Sequence, residues 1–108
     1  MIFITAKFQV LPEHAEAWPE ISREFTEATR AEDGCLWFEW SRSLDDPEEY
    51  VLTEAFRDGD AGGAHVNSDH FRKAQQSLPP YLVATPKIVS TEIDQDGWNE
   101  LGELRVER

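Results

Sequence analysis

Leu44-Asp45-Asp46-Pro47-Glu48-Glu49 is a short run dense in residues that hydrogen-bond their own backbone, and it separates two segments with strand character. A link this short admits only an antiparallel hairpin, so residues 35–43 and 50–56 must lie side by side. Helical segments flank the hairpin on both sides, and a further strand lies beyond each of them. That order constrains the fold more than any other feature of the chain.

The outer segments fill in the pattern. Residues 2–10 alternate, with Ile2, Ile4, Ala6, Phe8 and Val10 on one face and Phe3, Thr5, Lys7 and Gln9 on the other. A helix is expected over 13–31, where Ala15, Trp18, Ile21, Phe25 and Ala28 form one apolar stripe. Pro19 within it predicts a kink or a tight first turn. Asp33-Gly34 ends that helix, with the glycine expected in the left-handed cap position. Asp58-Gly59-Asp60 turns the chain into a short helix over 60–66, and Ser68 restarts the helix as far as Leu78. Pro79-Pro80 stops it, and Lys87 to Ile93 gives a fourth strand. The reading is β-α-β-β-α-β, an α+β ferredoxin-like domain. Both helices then cover one sheet face and leave Phe3, Trp37, Leu52 and Phe56 on a bare one, which predicts a homodimer formed sheet to sheet.

The 108 residues make one domain, 1–108, with a core at 2–93 and a tail at 94–108 that carries Trp98, Leu101, Leu104 and Val106 and is available to a partner subunit. A net charge of −12 disfavours nucleic acid and anionic membrane, both of which require a basic face. A neutral or weakly polar small molecule suits it better. No apolar run approaches the roughly 18 residues of a membrane helix. The N-terminus does not resemble a signal peptide, and Cys35 is the only cysteine, so a cytoplasmic protein is expected.

Acid/base chemistry is concentrated in Ala64-His65-Val66-Asn67-Ser68-Asp69-His70-Phe71. On one continuous helix His65 and His70 would diverge by about 140°, but a break at Asn67-Ser68-Asp69 lets both turn toward one cavity. Either could accept a proton near neutral pH, and two surface or capping histidines would give the same pattern. His70 is favoured as the base because the first turn of the restarted helix favours a neutral ring. Glu54, mid-strand between Leu52 and Phe56, requires a partner such as Arg42 across the hairpin, or else it belongs to a pocket. Cys35 reads as a small buried hydrophobe. A metal site drawn from His14, His65, His70 and Glu54 lacks i,i+4 or HExxH spacing, and Gly59, Gly62 and Gly63 form no phosphate loop, so neither metal nor cofactor is expected.

The Asp33-Gly34-Cys35-Leu36 opening, the Asp-Asp-Pro hairpin, Glu54-Ala55-Phe56, and Ala64-His65 followed by Ser68-Asp69-His70-Phe71 together resemble the antibiotic-biosynthesis monooxygenase family. Within the family it looks most like its small quinol monooxygenase-type members. The resemblance implies a dimeric α+β barrel with a pocket between sheet and helices. It also implies cofactor-independent oxidation of a small quinol or polyphenolic aromatic by O₂. His70 or His65 would be the base, Arg72 would steady the developing oxyanion, and Phe38, Trp40, Glu54, Phe56 and Phe71 would wall the pocket. Haem-degrading relatives use a strand Asn, a helix Trp and a helix His, and Ala6, His65 and Gln75 stand in those places here, which argues against haem. A cofactor-free isomerase of a small metabolite and a non-catalytic dimeric binding module share this fold and remain the alternatives.

Overall fold

The computed structural model describes residues 1–108. Strands β1 (Ile2–Gln9), β2 (Cys35–Arg42), β3 (Glu49–Phe56) and β4 (Lys87–Glu92) form one antiparallel sheet in the order β2-β3-β1-β4. Helices α1 (Trp18–Ile21) and α2 (Arg23–Arg30) connect β1 to β2, and α3 (Gly59–Val66) and α4 (Asp69–Ser77) connect β3 to β4. This is the α+β ferredoxin-like fold. The acidic link makes the hairpin as expected: the Asp46 carboxylate accepts from the Glu48 amide and the Ser43 hydroxyl from the amides of Asp45 and Asp46.

The first helical segment departs from a single helix over 13–31. Residues Pro12–His14 form a 3₁₀ turn, and the α-helix begins only at Trp18. Pro19 falls in the first turn of α1, where its missing amide hydrogen costs nothing. The irregularity lies instead at Ser22, whose hydroxyl donates back to the Trp18 carbonyl at 2.9 Å and loosens the ladder between α1 and α2.

Gly34 was expected in a left-handed cap, but no glycine in the chain has positive φ. Its reason is space: a Cβ there would lie 2.3 Å from the Ala61 Cβ on α3. Only a residue without a side chain lets the α2–β2 turn approach α3 so closely.

Strand register settles which face each side chain takes. Ala6 pairs with Leu52, and Leu52 with Trp40, so Ala6, Leu52 and Phe38 form a buried cluster beneath the helices. Val10, Trp18, Tyr50, Ala74 and Leu78 form a second cluster, and the Tyr50 hydroxyl donates to the Ala15 carbonyl at 2.7 Å. Leu52 and Phe56, placed above on the bare face, are 2% and 0% exposed and belong to the helix-covered core. They share parity with Glu54, which faces the helices, whereas Phe3 and Trp37 both oppose Ala55 and point the other way. The bare face therefore holds Phe3 and Trp37, in edge contact at 6.4 Å, with Trp98 of the tail lying 5.0 Å from Trp37 of its own chain.

Candidate active site

Side chains cap both ends of α3 and start α4. Asp58 caps α3 by accepting from the Ala61 amide at 2.8 Å. At its other end Asn67 donates to the Gly63 carbonyl. Ser68 accepts from the Phe71 amide and donates to the His65 carbonyl at 2.6 Å, so one hydroxyl both ends α3 and starts α4. The chain turns at this point, and the rings of His65 and His70 come within 6.1 Å of each other. The break expected at Asn67-Ser68-Asp69 thus turns both histidines the same way.

They meet on a residue absent from the sequence-based site. Glu32 follows α2, and one of its oxygens, Oε2, accepts from His65 Nδ1 at 2.7 Å and from His70 Nε2 at 2.5 Å. In the sequence Glu32 looks like one more solvated acid at a helix end. Its signal lay in the neighbouring glycine. Gly34 packs on Ala61, and Ala61 shares a helix face with His65 four residues on, so the turn that places Gly34 also delivers Glu32.

Burial and charge sort the groups. His65 is 4% exposed, stacks on Phe56 at 4.7 Å and meets Phe71 at 5.1 Å. Burial holds its pKa below the usual imidazole value, against the opposing pull of the Glu32 carboxylate. Glu54 lies 3.8 Å from His65 Nε2, on the side of the ring away from Glu32. Burial, then the Glu32 charge, pushes its carboxyl up to about 7. Arg42 is not its partner: that guanidinium bonds Glu16 at 2.8 Å and the Pro47 carbonyl at 2.5 Å, because Arg42 registers with Tyr50, four residues from Glu54. Cys35 is half-buried against the Ala6–Phe38–Leu52 cluster, and burial raises its thiol to about 11, which leaves it inert.

The remaining residues expected in the site are scattered around this centre. Phe38 and Phe56 are fully buried and form its floor, and Phe71 is a half-buried wall. Phe25, read in sequence only as part of the helix stripe, contacts His65, His70, Phe38 and Phe71. Trp40 lines a different cavity of about 350 Å³ with Trp18, Arg30 and Arg42. Arg72 is exposed and paired with Asp69. His70 opens on a cavity of about 200 Å³ between α2 and α4, lined also by Phe25, Lys73, Leu78 and Tyr81. His14 lies elsewhere, edge-on to Tyr81.

A carboxylate bonded to two imidazoles beside a partly apolar cavity is the densest set of titratable groups on this small α+β fold. The antibiotic biosynthesis monooxygenase model matches residues 1–77, and the chain belongs to that family. Among solved structures it is similar to a Deinococcus radiodurans protein named for the same family, at 25% identity and a TM-score of 0.82 over 94% of this chain and all of that one. A conserved Methanosarcina mazei protein is similar at 28% identity, with a TM-score of 0.78 over 83% of this chain and 89% of that one. A Nitrosomonas europaea protein, also named for the family, shares the fold at 24% identity with a TM-score of 0.79, covering 88% of this chain and all of that one. No functionally curated protein matches the sequence.

Proposed function

We propose that this protein oxygenates a small quinol or polyphenolic aromatic with O₂, acting as a cytoplasmic homodimer and needing no flavin, haem or metal for the chemistry. The observation that carries the reading is the double hydrogen bond on Glu32. By accepting from His70 Nε2, Glu32 fixes that ring's proton and leaves Nδ1 as its free acceptor, the orienting role a carboxylate plays toward a histidine base. His70 lines the cavity, so a phenolic hydroxyl bound there lies beside the base.

The remaining chemistry belongs to the substrate. A phenolate is rich enough in electrons to reduce O₂ itself, provided it is deprotonated, oriented and shielded from water. Quinol plus O₂ gives hydroxyquinone plus water, so the substrate supplies every electron and no other reductant enters. Lys73 lines the same cavity, where Glu24 now holds it at 2.5 Å. Released from that pair, it would take the oxyanion-stabilising part expected of Arg72, which faces Asp69 instead. At about 200 Å³ the cavity is smaller than typical ligand pockets of roughly 300 Å³ or more, which favours a single ring over a polycyclic phenol.

The test is an oxygen electrode with metal-stripped protein and a panel of one-ring quinols. Oxygen uptake with formation of the hydroxylated quinone is expected. Turnover of a small metabolite without uptake would favour the isomerase, and silence with binding a non-catalytic module.

A further inference from the structure

We propose that Glu32, His65 and His70 form a binding site for a divalent transition ion of the zinc and cobalt class. His65 Nδ1, His70 Nε2 and a Glu32 carboxylate oxygen all lie within 4.8 Å of one another. Two imidazole nitrogens and one carboxylate are the donor set of many three-ligand metal sites with an open position. Two nitrogen donors disfavour Mg²⁺ and Ca²⁺, which take oxygen ligands. The sequence spacing concealed the set, because its third donor is supplied from the α2–β2 turn and not from either histidine helix.

The ion would replace the two hydrogen-bond protons that now join the rings to Glu32. With bonds of about 2.0–2.1 Å, tetrahedral ligands sit about 3.3 Å apart, so the carboxylate must recede by roughly 0.6–0.8 Å from each nitrogen. Glu32 can move that far, since it follows the end of α2 and lies in a turn. The rings cannot. His65 is held by Phe56 and Phe71, and His70 by the capped first turn of α4.

Glu54 is a second observation pointing the same way. It is a buried carboxylate whose nearest polar partner is His65 Nε2 at 3.8 Å. With His65 Nδ1 on a metal, its ring proton must lie on Nε2, facing Glu54. Metal-ligating histidines commonly present their second nitrogen to a carboxylate in this way, and losing that carboxylate typically weakens metal binding about 10–100-fold.

The experiment is titration of the metal-stripped full chain with Co²⁺, followed by visible absorption, then displacement by Zn²⁺. A saturable one-to-one cobalt spectrum of nitrogen and oxygen ligation is expected, without a thiolate charge-transfer band because Cys35 lies outside the cluster. His70→Ala and Glu32→Gln should abolish it while circular dichroism stays native, and Glu54→Gln should weaken it about 10–100-fold. Absence of saturable binding by the wild-type chain up to millimolar ion overturns the proposal. Binding that survives in both His70→Ala and Glu32→Gln also overturns it, because the ion then sits on the acidic surface. With an ion on Nε2, His70 carries its ring proton on Nδ1 and cannot accept another, so the loaded protein would lack the base of the oxygenase reading. The cobalt readouts use no substrate, so the two proposals are tested separately.

Discussion

Glu54 and His65 set opposite pH dependences on folding. With its carboxyl raised to about 7 in the fold against an ordinary 4.5, Glu54 binds its proton more tightly when folded. Its contribution is therefore fully present below about pH 4.5 and lost as pH rises through about 7, up to roughly 3 kcal/mol by pH 8. His65 is depressed, so its contribution is present above an unfolded value near 6.5 and lost as pH falls through the folded one. Glu54→Gln should accordingly raise the melting temperature at pH 8 by clearly more than at pH 5. An equal gain at both would show that Glu54 is an ordinary carboxylate. For catalysis, His70→Ala should lower the rate about 10²–10⁴-fold with little loss of stability, since the ring is only part-buried. Retained activity in His70→Ala with loss in His65→Ala would transfer the role of base to His65.

At the scale of elements, two small residues decide whether the site assembles. Gly34→Ala puts a methyl group 2.3 Å from the Ala61 Cβ, closer than carbon atoms tolerate. It should cost about 1–3 kcal/mol by overpacking and, by moving α3 away from the turn, lengthen the Glu32–His65 bond. Thermal melts measure the first, and the His65 imidazole resonances report the second. Ser68→Ala removes the cap of α4 and the hydroxyl's bond to the His65 carbonyl, so a loss of about 1 kcal/mol is expected. If Ser68→Ala melts like wild type, the break is held by the packing of Phe71 alone. The expected helix break and hairpin both proved readable, because caps and turns are local chemistry. Gly34 was assigned the wrong duty because local sequence cannot tell a glycine needed for its dihedral freedom from one needed for its lack of volume.

For the whole molecule, assembly turns on the face away from the helices. Phe3 and Trp37 lie there beneath Trp98, which is 75% exposed, and Val89 of the edge strand is 65% exposed. A second copy pressed sheet to sheet would cover this surface. Light scattering at micromolar concentration should give about twice the 12.4 kDa chain mass. Trp98→Ala should weaken the dimer without unfolding the chain, because its ring lies outside both core clusters. A monomer at all concentrations would leave the tail as a cover for its own sheet.

The sequence by itself determined the order of elements, the antiparallel hairpin and the break between His65 and His70, since periodicity, caps and short links act within a few residues. It also carried the family, through motifs spread along most of the chain. Only the tertiary structure decided that Leu52 and Phe56 are core and not surface, that Arg42 serves Glu16, and that Glu32 lies at the centre of the site. Each of those depends on which distant residues become neighbours. Glu32 and His65 are 33 residues apart, and their meeting is set by the approach of Gly34 to Ala61.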